Sequence, residues 1–319
     1  MATLARFVFS EWESVKACIS GDIVFYDFYL TSHPFTSTLW ITFGFMVITF
    51  ISCHIGKKHD FTLVDKLWPA IPLSCTVNYI LHGYLNGNIS YRLSLILPFQ
   101  TIWAYHSAEL FARRGGYSGF EDHRWTKVKA SMNHDPVKLF FFSIFFVSIY
   151  QPSMSINNTM PECMLWEAGS SSLNFGDYAF LFLYIGLIGF EYSCDKYQQD
   201  YQIAKAKYKE TGEVTSGYRQ AQSERGFCTV GPFAYSRHPA FFTEQLIWVS
   251  SYFWGAYVSG KPINWTIIGP LVFVIFVVNS SRFTELISAE RYPAYKQYMV
   301  HVGMLVPLPG KIWIEPKAD

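Results

Sequence analysis

Long apolar runs separated by short polar stretches dominate the chain. About seven of them are long enough, or nearly so, to cross a bilayer as helices, which takes roughly 20 apolar residues. They cover Leu39–His54, Leu67–His82, Leu93–Phe111, Val137–Ser155, Phe175–Cys194, Phe241–Val258 and Ile263–Phe283. The second is interrupted by Pro69 and Pro72 and carries Asn78. Proline is tolerated in membrane helices where neighbouring groups satisfy the freed carbonyls. The pattern predicts an all-α, polytopic membrane helix bundle with about seven transmembrane helices. Residues 1–36 read as an N-terminal luminal or interfacial segment and residues 37–319 as one transmembrane domain.

The polar stretches orient the bundle. Lys57 and Lys58 follow the first run, and Arg113, Arg114, Arg124, Lys127 and Lys129 follow the third. The stretch after the fifth holds Lys196, Lys205, Lys207, Lys209, Arg219, Arg225 and Arg237, whereas Gln151 to Asp177 contains no Lys or Arg. The positive-inside rule then places the N-terminus outside and the C-terminus in the cytoplasm, consistent with an odd number of spans. Two sequons, Asn88-Ile-Ser and Asn157-Asn-Thr, fall on the predicted outer side as candidate glycosylation sites. After the fifth run, Asp195 to Glu210 reads as a helix leaving the membrane and ending near Thr211-Gly212. Thr284 to Val302 shows mostly helical spacing of apolar residues and reads as an interfacial amphipathic helix.

Composition agrees with a membrane protein. Of 319 residues, 50% are hydrophobic and only 15% charged, against about 25% charged in an average soluble domain. The net charge of +1 offers no electrostatic case for a nucleic-acid partner. The six cysteines are widely spaced, with no C-x-x-C, so neither a zinc site nor a disulfide framework is expected. The N-terminal stretch is too short and too charged in its middle for a secretory signal. No dinucleotide-binding G-x-G-x-x-G, Walker loop or G-x-S-x-G is present, and Gly115-Gly-Tyr-Ser-Gly119 reads as a turn.

Ionisable residues at membrane depth are costly and therefore draw attention. Asp65 heads the second run, Tyr105 and His106 lie in the third, Glu191 and Asp195 end the fifth, Glu244 sits one turn into the sixth, and Arg282 and Glu285 close the seventh. A deep acid beside a deep phenol can polarise a carbonyl, the phenol donating a hydrogen bond and the acid supporting it. Equally, Asp65 can cap a helix and Tyr105 can belong to an aromatic belt. The segment Gly231-Pro-Phe-Ala-Tyr-Ser-Arg-His-Pro239 sets Arg237 and His238 at a helix start. There they form either an interfacial positive cluster, with Pro239 at the first helical position, or an anion site for a pyrophosphate or carboxylate.

Four stretches carry a resemblance: GPFAYSRHPAFFTEQLIW, SRFTELISAERYPAYKQYMVHVGMLVPLP, FARRGGYSGFEDHRW and GFEYSCDKYQQD. Together they resemble the steroid 5-alpha-reductase-like superfamily, and within it the DUF1295 family of multi-pass membrane proteins, from about Phe61 to Pro309. The resemblance implies reduction of a carbon–carbon double bond in a lipid enone (steroid-like, fatty enoyl or polyprenoid) with NADPH. It implies Asp65 and Tyr105 as the catalytic pair, and Asp195, Tyr235, Arg237, His238, Glu244 and Arg282 as cofactor contacts. Hydride would reach the β-carbon, Tyr105 supported by Asp65 would stabilise the enolate oxygen, and a proton would reach the α-carbon. A lipid-like substrate and outside sequons fit the endoplasmic reticulum.

The chain departs from the pattern. Ala240 stands where the family usually has Asn, and Thr243 where it has Gly; Asp65 replaces a Glu one methylene longer. A related group, the isoprenylcysteine and phospholipid methyltransferases, shares the Arg-His-Pro element and uses S-adenosylmethionine. Its adjacent glutamates near the C-terminus are here replaced by the separated Glu285 and Glu290. S-adenosylmethionine-dependent methyl transfer, and a non-catalytic membrane lipid-binding protein, therefore stand as alternatives.

Overall fold

The structure is a computed structural model that describes residues 2–55, 59–119 and 121–315. Lys57 and Lys58, part of the positive-inside pattern, lie outside the described residues. Those residues form helices and no strand; an isolated bridge pairs Ser236 with Gly303. The helices are α1 (Ala2–Ser20), α2 (Phe25–Thr31), α3 (Pro34–His54), α4 (Thr62–Leu67), α5 (Ala70–Leu85), α6 (Tyr91–Arg113) and α7 (His123–Ser131). There follow α8 (Pro136–Glu167), α9 (Phe175–Thr211), α10 (Gln220–Arg225), α11 (Pro239–Ser259), α12 (Ile268–Arg291) and α13 (Tyr295–His301). Among the described residues, three helical stretches are long and apolar enough to cross a membrane: Pro34–His54, Pro136–Glu167 and Trp265–Arg291.

Helix starts follow local chemistry. Pro34 opens α3 behind His33, whose ring accepts from Phe35 N. Ser90 caps α6 by accepting from Leu93 N, and Asp122 caps α7 through Arg124 N. Asp135 receives the backbone N–H groups of Val137 and Lys138 ahead of Pro136. Each cap satisfies donors that an apolar surrounding would leave unpaired. Within α8 the stretch Ser143–Tyr150 is wound as π-helix.

The chain divides into two compact units, Met1–Leu181 with Ser250–Val272, and Phe182–Val249 with Phe273–Asp319. In the first, α3, α5, α6 and α8 pack together. Several of their polar groups are matched inside. Arg92 and Asp177, with side chains 3% and 0% exposed, form a two-pronged ion pair at 2.7 and 2.8 Å. Trp254 Nε1 and Asn174 N also donate to Asp177, at 2.8 and 2.9 Å. Glu162, buried in α8, accepts from Thr76 Oγ1 at 2.7 Å. The sequon at Asn157 lies inside α8, and its Thr159 is fully buried, so the helix packing removes it as an exposed glycosylation site. All six cysteines are free thiols.

The second unit is built around the C-terminal tyrosines. The expected single helix over Thr284–Val302 is instead divided, because Pro293 ends α12 and α13 begins at Tyr295. Tyr295, Tyr298 and Val302 pack with Phe227 in a buried cluster, so this face is core and not an interfacial surface. The chain end is tied down by Glu315. Its carboxylate accepts from Arg225 Nη1 at 2.8 Å and from Arg225 Nη2, from Thr229 Oγ1 at 2.8 Å and from Gln222 Nε2 at 3.2 Å. Burial alone would raise the Glu315 pKa, but the Arg225, Thr229 and Gln222 hydrogen bonds outweigh it and bring the group to about 2. The folded value is below the ordinary one, so the stabilisation is complete above about pH 4.5 and is lost as pH falls toward 2. Solvent screening of this partly exposed group reduces the expected loss to on the order of 1 kcal/mol. Trp313 donates to Glu315 at 3.1 Å, so its fluorescence, read against Trp313→Phe, should report release of this end on acidification. A signal unchanged from pH 5 to pH 2 would contradict the assignment.

Candidate functional site

Asp65 sits in the one-and-a-half turns of α4, which Pro69 separates from α5. Its Oδ2 accepts the indole N–H of Trp125 at 2.8 Å. Trp125 is held in turn by the cluster of Cys53, Phe61, Val64 and Val147, and its ring meets Phe61 edge-on at 5.4 Å. Around this contact the α7 entry carries fixed charges. Asp122 binds Arg124 through two oxygens at 2.9 and 3.0 Å, and Glu121 binds Lys129 Nζ at 2.6 and 2.9 Å. Burial raises the Asp65 pKa to about 6, against the opposing pull of the Trp125 hydrogen bond and the Arg124 charge; Asp122 and Glu121 add to the rise. A carboxyl that titrates close to neutrality is suited to giving and taking protons.

Tyr105 does not join this acid. Its ring is 70% exposed on α6, and no hydrogen bond or ring contact ties it to Asp65 among the described residues. The neighbouring Trp103 and Ala104 take the buried positions of that turn. The catalytic pair expected from the sequence is therefore one held acid and one outward-facing phenol.

The second unit holds the six expected cofactor contacts. Gly231 adopts a left-handed φ of 59°, turning the chain into a short 3-10 helix that Pro232 continues. A side chain there would sit 2.6 Å from the Tyr197 ring, so glycine is required twice over. Ser236 to His238 then run beside Gly303 to Leu305. Arg237 N donates to Gly303 O at 2.9 Å, His238 N to Met304 O at 3.0 Å, and Ser236 Oγ to Leu305 O at 2.6 Å. Pro239 opens α11 as expected.

That register buries Arg237. Its Nε and Nη2 bind Glu285 at 2.5 and 3.0 Å, and its Nη1 donates to the carbonyls of Met299 (2.9 Å) and Val302. His238 Nε2 lies 3.1 Å from the same Glu285, and its ring stacks on Phe241. The cation and imidazole read as an anion site thus have an internal anion, Glu285, supplied from α12. The remaining candidates differ. Tyr235 and Arg282 are exposed, while Asp195 and Glu244 are partly buried and engaged in the fold's own interactions. Thr243 is buried and bonds its own helix at Pro239 O, 2.8 Å away.

A dinucleotide needs cations for its phosphates and a flat surface for its rings. Among the six positions, exposed Arg282 and exposed Tyr235 fit those demands in kind; Arg237 and His238 do not, because Glu285 occupies them. No group of three or more His, Cys, Asp or Glu side chains that could hold a metal ion occurs among the described residues. From the sequence Glu285 reads as a membrane-depth acid, but its partners are 47 and 48 positions away and no local pattern announces them. Arg92, Asp177 and Glu162 escaped sequence reading for the same reason.

Comparison with known proteins gives the family. The DUF1295 family, described as a protein of unknown function, matches residues 26–302. A Schizosaccharomyces pombe protein, "Uncharacterized protein C594.04c", is 33% identical over 307 residues, covering 94% of this chain and 88% of its own length. No solved structure matches. Residues 26–302 take in the Asp65 centre, the Arg237–Glu285 clamp and the tyrosine cluster, and the chain belongs to the DUF1295 family.

Proposed function

We propose that this DUF1295 protein is a membrane-embedded, NADPH-dependent reductase acting on the carbon–carbon double bond of a lipid enone. It would cross the membrane about seven times, with the N-terminus outside and the C-terminus cytoplasmic, in the endoplasmic reticulum. The observation that carries the reading is Asp65. It is fixed by one indole hydrogen bond, and burial brings its carboxyl near neutrality. Reduction of an enone needs such a proton source, and methyl transfer does not.

NADPH, when bound, supplies the hydride for the β-carbon. The chain's own residues do the rest. Asp65 in its protonated form donates toward the enone oxygen as negative charge develops there, and Trp125 keeps its carboxyl oriented. Tyr105, 70% exposed on α6 and without a hydrogen bond or ring contact to Asp65, is given no part in this step. Arg282 and Tyr235 are the side chains available to the cofactor. Arg237 and His238 shape that region through Glu285 and do not contact the phosphates.

If protonated Asp65 is the active form, turnover of an α,β-unsaturated ketone is highest below about pH 6 and declines as pH rises through that value. A pH–rate profile measures this. A rate flat from pH 5 to pH 8 would remove Asp65 as the proton donor.

One observation favours a second reading. With Arg237 paired to Glu285, its guanidinium is not available to a pyrophosphate. S-adenosylmethionine carries no phosphate, so methyl transfer to a lipid or prenylated thiol keeps its place as the alternative. A non-catalytic lipid-binding protein is the remaining outcome if neither cofactor binds.

A further inference from the structure

In the second unit, the last turns of α9 carry Lys205 and Lys209, four positions apart and therefore on one helix face. α12 ends at Arg291, and Tyr292 follows it directly. The two helix ends meet at the Tyr292 ring. Its centre lies 5.9 Å from Lys205 Nζ and 5.4 Å from the Arg291 guanidinium carbon. Lys205 Nζ is also 5.9 Å from the ring centre of Tyr201, a residue only 1% exposed. Three cations are gathered where α9 and α12 end.

The arrangement is held from behind. Gly226 caps the end of α10 with a left-handed φ of 89°, and a Cβ there would meet the Tyr292 ring at 2.3 Å. The Gly226 carbonyl accepts from Lys205 Nζ at 3.1 Å. Tyr201 is locked by its hydroxyl, which donates to Gln222 O at 2.9 Å. Lys205 is thus partly buried at a fixed position, instead of carrying its ammonium out into water as a surface lysine does.

None of the three cations pairs with a carboxylate among the described residues, although neighbouring lysines do. Lys196 binds Asp200 at 2.7 Å and Lys207 binds Glu213 at 3.0 Å. A cation at a helix C-terminus suits that helix, which accounts for Lys209 and Arg291 taken singly. It does not account for both being set beside a partly buried Lys205. Like charges four apart on a helix repel, and burial, then the charges of Arg291 and Lys209, lower the Lys205 pKa. An anion in front of the three turns that repulsion into attraction. The donors are open to it: Lys205 uses one of its three N–H groups on Gly226, and Lys209 and Arg291 are exposed. A phosphate group, with close to two negative charges and three acceptor oxygens, matches three cations better than a single carboxylate.

We propose that Lys205, Lys209 and Arg291 bind the terminal phosphate of a small soluble phosphorylated compound. Lys205 lies 11 residues past Cys194, where the apolar run ends, which is about 16 Å along α9. The headgroup layer is only about 5–8 Å deep, so a soluble phosphate reaches this site and a bilayer lipid does not. The choice of source rests on the membrane placement proposed above for α9; the site itself does not depend on the reductase activity.

Calorimetric titration of inorganic pyrophosphate onto the full-length protein in phosphatidylcholine nanodiscs tests the site, at constant ionic strength so that screening is fixed. One saturable binding event is expected. Lys209→Ala, at an exposed position that braces nothing, should weaken it about tenfold, as loss of one charge-assisted hydrogen bond does. Lys205→Met, which keeps the apolar stem, should weaken it at least as much. No saturable heat in the wild type, or equal affinity in the wild type and both variants, would overturn the proposal. Nanodiscs containing phosphatidic acid, compared with phosphatidylglycerol nanodiscs of equal surface charge, check the source. Equal pyrophosphate affinity in the two is expected; binding lost only with phosphatidic acid would give the site to a lipid phosphate and contradict a soluble ligand.

Discussion

Asp65→Asn is expected to lower turnover by about 10²- to 10⁴-fold, the usual contribution of a positioned general acid, while leaving cofactor affinity nearly unchanged. The amide matches the carboxyl in shape, and its oxygen can still accept the Trp125 N–H, now 2.8 Å from Oδ2. What it lacks is a proton to give near pH 6. The fold should tolerate the exchange, since burial already disfavours the charged carboxylate at this position. The comparison to make is turnover number against cofactor dissociation constant, measured on the same preparation. A variant that turns over at the wild-type rate takes Asp65 out of the mechanism; one that loses cofactor affinity instead moves it to the binding machinery.

Arg237→Ala should destabilise the C-terminal part of the molecule by about 3–5 kcal/mol, the range for breaking a buried ion pair from one side. The side chains of Arg237 and Glu285 are only 8% and 5% exposed. Truncation strands the Glu285 carboxylate, leaves His238 as its remaining partner, and frees the carbonyls of Met299 and Val302. Those carbonyls flank the end of α13, so the register between Arg237 and Gly303 loses its side-chain support. Arg237→Lys separates two roles. A phosphate ligand would survive that change in large part, whereas a clamp that uses three guanidinium nitrogens would not. Thermal melts of both variants, without added ligand, should show large losses for each. Wild-type melting of Arg237→Lys would return this residue to the cofactor site.

Periodicity and proline signals made the helices legible. The Leu39–His54 run lies within α3, which begins five residues earlier because His33 and Pro34 form a start that hydropathy does not register. The helix expected to leave the membrane after Cys194 does run on to Thr211. The Val137–Ser155 run falls short of its helix, which extends over Pro136–Glu167. Asn157, Asn158 and Glu162 look like a loop, yet they continue in α8, where Thr76 meets Glu162 inside the bundle. Polar residues in a membrane helix are hidden this way whenever the partner is distant in sequence.

The candidate site was legible only in part, for the same reason. Residue type pointed to Asp65, but its holder, Trp125, lies 60 positions away. The Arg-His-Pro segment reads from the sequence as either an interfacial positive cluster or an anion site; in the fold, Arg237 and His238 meet Glu285 of the same chain, 48 and 47 positions away. Tyr105 shows the converse limit. A phenol in an apolar run can face the core or the outside, and on α6 it is Trp103 that turns inward.

Ligand-dependent thermal unfolding of the purified full-length protein, with NADPH and S-adenosylmethionine in parallel, tests the central claim most directly. At a concentration a hundredfold above its dissociation constant, a ligand that binds only the folded state contributes about 2.7 kcal/mol, enough to move the transition clearly. The account predicts a saturable rise in melting temperature with NADPH, reduced in Arg282→Ala, and none with S-adenosylmethionine. A rise with S-adenosylmethionine alone would contradict the reductase reading in favour of methyl transfer, and a rise with neither would sink both.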